Sequence, residues 1–334
     1  MRTSVGLLLD NLGEHPAVRA WSVLQCRSLE PTTIGVFKEW KGRQKSGVYR
    51  LAGVGPGGVA VVAKRCPRRT ASVERRIYEE FLPRLAVPTL NYYGSLDDPD
   101  GRTCWLFMEE ASGDFYSPDD PEHRALAARW LAELHEAGRD DGWKTHLPDR
   151  GPRQYLELLR SGRLKMREHF DNPNLPPDGT SVLTLLCEQL DVVEAHWSEL
   201  EATCQGLPHT LIHGDFVRKN LVVRPASDGP QLLVFDWEFA GWGAPAVDLA
   251  QHIGNVANPD LAVYGSSLQQ WRPKNGVISG LAICGSFFRL VDAISWDLVA
   301  LIAGPRELLI KPISILNTYS QRMAGALSDA GWTA

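Results

Sequence analysis

LIHGDFVRKNLVV, Leu211–Val223, places His213, Gly214 and Asp215 directly after one apolar pair and Asn220 directly before another apolar run. The apolar residues read as short buried strands, and a carboxylate or amide buried beside them is costly unless paired or bound to a cation. The pattern recurs in QLLVFDWEFAGWG, Gln231–Gly243, where an apolar run ends at Asp236. RPASDGPQ, Arg224–Gln231, is a polar turn between them. The two segments are therefore expected to form a hairpin that carries both carboxylates and Asn220. Two carboxylates and an amide are hard oxygen donors, a set that suits Mg²⁺ bound together with phosphates better than zinc.

The rest of the chain sets the frame for that hairpin. Its 334 residues, 44% hydrophobic and 22% charged, have the composition of a globular protein long enough for two sub-domains or one bilobal unit. A net charge of -5 without a basic run argues against a nucleic-acid partner, which needs cations for the phosphates. MRTSVGLLLDNLGEH has an apolar run too short for a signal peptide and no small-residue cleavage site. No stretch approaches the ~18 apolar residues of a membrane span, the nearest being Leu298–Ala303. The six cysteines are scattered with no CxxC pair and read as reduced thiols. These features set the expectation of a cytoplasmic protein with no membrane partner.

The first third alternates strand and turn signals. TTIGVFKEW (32–40), GVYRLAGV (47–54) and VAVVAK (59–64) read as strands, and ASVERRIYEEFLPRL (71–85) as a helix with Val73, Ile77 and Phe81 on one face. LNYYGSL and TCWLFMEE then form a hairpin around DDPDG. From Ser117 the signals are helical. DDPEHRALAARWLAELHEAG has Asp120 as N-cap, Pro121 at the first position and Gly138 past the end. TSVLTLLCEQLDVVEAHWSELEATCQGLP (180–208) reads as another amphipathic helix, stopped by Gly206 and Pro208, and the chain beyond Leu249 is mostly helical. EEASGDFYSPDD, 109–120, is the expected boundary between the two styles.

HGDFVRKN followed by VFDWEFAGWGAPAVDLA resembles the aminoglycoside phosphotransferase family, relatives of choline kinase and the protein kinases, over roughly Thr33–His252. The resemblance implies an α+β, bilobal, protein-kinase-like fold: a small N-terminal nucleotide-binding lobe with an antiparallel sheet, residues 1–110, and a larger helical lobe, 111–334, with the catalytic loop and substrate site. It implies Asp215 as the base that takes the proton of an attacking hydroxyl, and Asn220 and Asp236 as Mg²⁺ ligands. Lys64 would be the phosphate-binding lysine, paired with a glutamate of the following helix. Glu74, beside Val73 and Ile77, fits that place better than Glu79 or Glu80. Ser46 and Gly47, with Gly42, would cover the phosphates, although KGRQKSGVYRL lacks G-x-G-x-x-G. Met108 would back the adenine, and backbone groups of Glu109 to Ala111 would bond the base, which leaves ATP against GTP open.

Further matches have supporting roles. Asp248 would brace the catalytic loop, His213 would orient it, and His135 would pack or cap. Arg218 and Lys219 would offset phosphoryl charge or face solvent; Glu238 would assist at the metal or brace a loop. The implied activity is an ATP- or GTP-dependent transfer of a γ-phosphate to a small-molecule hydroxyl, an antibiotic among the candidates. The alternative is a metabolic kinase of the sugar, choline or amino-alcohol type. Lys64, Asp215, Asn220 and Asp236 are all retained, against a regulatory pseudokinase, while Gly214 and the lack of an A-P-E segment argue against a protein kinase. Beyond Leu249 acids are few (Asp260, Asp292, Asp297, Glu307, Asp329) and Arg289 and Arg306 are cations, so an acceptor less cationic than an aminoglycoside is expected. Acceptor identity and oligomeric state stay open.

Overall fold

The computed structural model describes residues 5–7, 11–39, 46–301 and 304–332. Gly42 and the rest of 40–45, part of the expected phosphate-covering loop, lie outside them. The chain divides into two compact units, Met1–Phe115 with Asn220–Phe239, and Tyr116–Lys219 with Ala240–Ala334. Asn220 and Asp236 therefore belong to the first unit and Asp215 to the second.

The first unit opens with β1 (Val5–Leu7), α1 (Pro16–Leu24), β2 (Ile34–Lys38), β3 (Gly47–Leu51) and β4 (Val61–Pro67). Then come α2 (Arg68–Arg76), β5 (Tyr92–Asp97), β6 (Thr103–Glu109) and the short β7 (Asp114–Phe115). Among the described residues, β1-β2-β3-β4-β6-β5 form one sheet, antiparallel throughout. The strands and helix expected from sequence are β2 to β4, α2, β5 and β6; β1 and α1 are additional. Helix α1 lays Ala17, Val18 and Trp21 on a core with Ile34, Leu51, Val61, Ala63 and Phe107. Burying large apolar side chains of this kind contributes about 1.5–3 kcal/mol each. The indole N–H of Trp21 is satisfied by Val54 O at 3.1 Å. After α2 the chain continues as a wider π turn, Ile77–Phe81, and a tight turn, Leu82–Arg84, where Pro83 has no N–H to continue an α-helix.

Beyond Phe115 the chain runs through α3 (Pro121–Ala137), β8 (Asp149–Arg150), α4 (Pro152–Arg167), α5 (Gly179–Ala195) and α6 (Trp197–Cys204). Next are β9 (Thr210–Ile212), β10 (Leu221–Arg224), β11 (Gln231–Val234) and β12 (Gly241–Gly243), then α7 (Leu261–Ser267), α8 (Val277–Asp297) and α9 (Arg306–Asp329). Asp120 caps α3 by accepting from the N–H groups of Glu122 and His123. The single helix expected over 180–208 is two, α5 and α6, divided at His196.

The expected hairpin is corrected by the pairing. β9, which leads into Asp215, pairs antiparallel with β12 in the second unit, while the hairpin proper is β10 with β11 in the first. Four residues of loop between Asp215 and Asn220 let the flanking strands join different sheets. The membrane reading is corrected as well. Val277–Ala300 is long and apolar enough to cross a membrane by length and composition, because the helix continues through Arg289 and Asp292, where a count of uninterrupted apolar residues stops. It is 56% buried within the fold and packs on α4, α6 and α9, the placement of a core helix.

Candidate functional site

In the first unit, strand alternation decides where Lys64 points. Val61 and Ala63 face the α1 core, so Lys64 faces the opposite side of the sheet. There it is buried with Glu74, which α2 carries one turn after the buried Ala71. Lys64 Nζ donates to Glu74 Oε2 at 2.6 Å and to Asp236 Oδ1 at 2.5 Å, and Glu238 Oε2 lies 3.9 Å away. Burial by itself would lower the lysine's pKa. Asp236, Glu74 and Glu238 outweigh it and hold the ammonium well above its ordinary value. Burial also pushes the Glu74 carboxyl up to about 7, with Lys64 pulling against it. In this pair the charged lysine dominates, since three carboxylates surround a single ammonium. Glu79 and Glu80, the other candidates for its partner, are exposed and instead bridge Arg75 and Arg76 at 3.6 and 3.5 Å.

Asp236 leaves β11 with φ +69°, in the left-handed region that Asp tolerates better than most residues. The adjacent Phe235 N–H donates to Asn220 O at 3.1 Å, so Asn220, which is buried, and Asp236 flank the open end of the β10–β11 hairpin. Among the described residues no donor reaches Glu74 Oε1. Nor do the described residues contain a ready cage of three or more His, Cys, Asp or Glu side chains. One carboxylate, one amide and a nearby Glu238, with negative charge in excess over Lys64, are a donor set that would suit a hard cation such as Mg²⁺ held together with phosphates.

Of the expected base-binding segment FMEEASG, Met108 and Glu109 lie in β6 and Glu110 and Ala111 follow it. Met108 is buried, and its sulfur accepts from the Tyr78 hydroxyl at 3.8 Å. Glu109 N–H already donates to Asn91 O at 2.8 Å, so this one of the expected backbone contacts is committed to the protein. The Glu109 carboxylate accepts from Asn91 Nδ2 at 2.9 Å and Arg224 Nη2 at 2.5 Å. Its neighbour Glu110, which precedes Ala111, accepts from Arg50 Nε at 2.8 Å. Ser46 is buried just before β3, and Gly47 is paired within the ladder opposite Arg65.

In the second unit, β9 delivers His213, Gly214 and Asp215 onto a scaffold of buried polar groups. Gly214 has φ +76°, a backbone state that the arginine of protein kinases would adopt only under strain. Asp248, in the tight turn Pro245–Leu249, accepts from His213 N–H at 2.7 Å and Gly214 N–H at 2.9 Å. His135 Nε2 lies 3.3 Å from Asp248, and its Nδ1 lies 3.0 Å from the Tyr264 hydroxyl. A proton on Nε2 lets the ring donate to Asp248 and accept from Tyr264. Asp215 N–H donates to His213 Nδ1 at 3.2 Å.

The Asp215 carboxylate is itself buried. Its Oδ1 accepts from Arg289 Nη2 at 2.6 Å, and Lys219 Nζ stands 3.3 Å from Oδ2. Burial would raise this carboxyl, but Arg289, Lys219 and His213 outweigh it and hold it below the ordinary carboxylate range. Arg218 is held through its backbone, donating to Asn255 O at 2.9 Å. Arg289 is the residue that sequence reasoning missed. The available signal was an Arg and an Asp three residues apart in an otherwise apolar helix, GSFFRLVDA, where charge needs a partner.

A model of the phosphotransferase enzyme family, APH, matches residues 41–276. No curated protein matches the sequence. Among solved structures the chain is similar to wild-type aminoglycoside 2'-phosphotransferase-IIIa in its GDP complex, at 15% identity and a TM-score of 0.62, over 90% of this chain and 96% of that one. It is similar to a spectinomycin phosphotransferase in complex with ADP and spectinomycin, at 10% identity and a TM-score of 0.55, over 92% and 98%. A third is an ethanolamine kinase of Plasmodium vivax, at 14% identity and a TM-score of 0.55, over 84% and 78%. At these identities the likeness shows the fold, which is the α+β, protein-kinase-like one.

Proposed function

The chain belongs to the phosphotransferase enzyme family, as a small-molecule phosphotransferase, and on that footing we propose that it moves the γ-phosphoryl group of ATP or GTP onto a hydroxyl of its acceptor. The observation that carries this reading is the buried Lys64–Glu74–Asp236 cluster, an arrangement that neither core packing nor solvation accounts for. Structural relatives solved with GDP and with ADP support a nucleotide co-substrate.

Lys64, kept charged and aimed by Glu74, holds phosphate oxygens of the nucleotide. Asn220 and Asp236 would hold Mg²⁺, which would neutralise the negative charge that develops on the phosphoryl groups. Asp215 stays ionised at neutral pH, so it accepts the hydroxyl proton as the acceptor oxygen bonds to the γ-phosphorus and the β–γ bridging oxygen leaves with the diphosphate. Met108 and the backbone from Glu109 to Ala111, apart from the committed Glu109 N–H, line the base, and Ser46 and Gly47 lie toward the phosphates. The acceptor is a hydroxylated antibiotic, with a sugar or amino-alcohol metabolite as the alternative; relatives of both kinds share the fold. Six free cysteines support a cytoplasmic setting, where both nucleotides are supplied.

The test is a transfer assay with purified chain, Mg²⁺, ATP or GTP, and a panel of hydroxylated antibiotics, sugars and amino alcohols. The expected result is one acceptor that gains a single phosphoryl group, read by mass spectrometry. A chain that binds neither nucleotide in the presence of Mg²⁺ overturns the reading.

A further inference from the structure

We propose that Arg289 is the positioning residue of Asp215, fixing one carboxylate oxygen and the peptide before it and so setting the direction from which the carboxylate meets the acceptor's hydroxyl. The grip has two points from a single guanidinium: Nη2 donates to Asp215 Oδ1 and Nη1 donates to Gly214 O, both at 2.6 Å. A planar fork of this kind sets direction as well as charge, which the point charge of a lysine does not. The other cation beside the carboxylate, Lys219, has a side chain 63% exposed, whereas that of Arg289 is 15% exposed. Arg289 is therefore the partner whose own position is fixed.

Helix α8 is placed to supply it. A Cβ on Gly285 would lie 1.8 Å from Ala246 O, so only glycine lets α8 rest directly on the Pro245–Leu249 turn that carries Asp248. Arg289 follows four residues later, on the same helix face. Gly214 is consequently held from both sides, its N–H by Asp248 and its carbonyl by Arg289. The charged and titratable groups around the carboxylate are Arg289 and Asp292 from α8, Lys219 and His213 from its own loop, and, next to Arg289 and Asp292, Tyr155 of α4 and Arg150.

The chemical role rests on the phosphotransfer reading of Asp215, so the test separates the two. Full-length Arg289→Lys and Arg289→Gln are compared with wild type in Mg²⁺-dependent hydrolysis of ATP and GTP, with water as acceptor. The Asp215 carboxyl is titrated by ¹³C NMR, its signal assigned through its loss in Asp215→Asn. Arg289→Lys is expected to lower kcat at least about tenfold at unchanged nucleotide KM, because the base is displaced while its charge partner is kept. Arg289→Gln is expected to raise the carboxyl midpoint and, with it, the acidic limb of the pH–rate profile. Wild-type kcat in Arg289→Lys, or an unmoved midpoint in folded Arg289→Gln, overturns the proposal. Should Arg289→Gln fail to fold, the kcat of Arg289→Lys decides. A wild type that binds neither nucleotide counts against the kinase reading alone, one that binds without hydrolysing leaves that reading standing, and in either case the carboxyl midpoint, which needs no turnover, decides the role of Arg289.

Discussion

The two units surround their functional groups with opposite charge. In the first, one buried cation, Lys64, meets Glu74, Asp236 and Glu238; in the second, one buried carboxylate, Asp215, meets Arg289 and Lys219. The first arrangement has carboxylate in excess, which a bound cation relieves. The second sets two cations against its central carboxylate, with Asp292 3.8 Å from Arg289 offsetting part of their charge, and they hold Asp215 ionised, as the proposed base role needs. Both lower the cost of burying their central group, yet they predict different responses to substitution, nucleotide, metal and pH.

The largest effect is expected at the centre of the second unit. Asp215→Asn keeps the size and removes the proton acceptor, so transfer should fall by about 10²–10⁴-fold while nucleotide affinity, read by calorimetry, stays near wild type. Near-normal single-turnover rates in a folded variant would remove Asp215 from the base role. At the centre of the first unit, Lys64→Met leaves a buried, partnerless Glu74. Urea denaturation should show a loss of about 3–5 kcal/mol, with weakened nucleotide binding. Unchanged stability would mean that the cluster is not the closed pair its geometry describes.

The next effect is read against pH. The Asp215 carboxyl is held below its ordinary value in the folded state, so its stabilising contribution is present above the ordinary carboxylate range and lost as pH falls through the folded value. Thermal melts of wild type and Arg289→Gln should therefore differ at neutral pH and converge in acid. A constant difference across that range would uncouple Arg289 from the charge of Asp215. The smallest effect is expected from Glu79→Gln, which loosens only an exposed bridge to Arg75, within about 0.5 kcal/mol and without effect on transfer. If Glu79→Gln matched a Glu74→Gln variant, the assignment of Glu74 as the lysine's partner would be wrong.

Much of this was legible locally and little of it over long range. The run VAVVAK, the helix that bears Glu74, and the hairpin around DDPDG follow from period-two and helical patterning, because each is decided within a few residues. The HGD and D-W-E segments stand out because they set acids against apolar runs. Helix α1 had its own signal, Pro16 in the first turn after His15, whose ring accepts from Ala17 N–H, but that stretch is assigned no element from the sequence. The partner of β9 could not be read, since its register with β12 depends on a pairing across the whole β10–β11 hairpin. Arg289 could not be assigned for the same reason: 74 residues separate it from Asp215, and Gly285 has meaning only once Ala246 is seen against it.

The most direct measurement is calorimetry of ATP and GTP binding to wild type and Asp236→Ala, each with Mg²⁺ and with excess chelator. If the acid excess around Lys64 exists to hold a cation with the nucleotide, wild type binds more tightly with Mg²⁺. Asp236→Ala then loses that tightening, while its metal-free affinity stays level or improves as one repelling carboxylate is gone. An Asp236→Ala protein with the wild-type dependence on Mg²⁺ would contradict this, leaving Asp236 as a structural partner of Lys64 and no more.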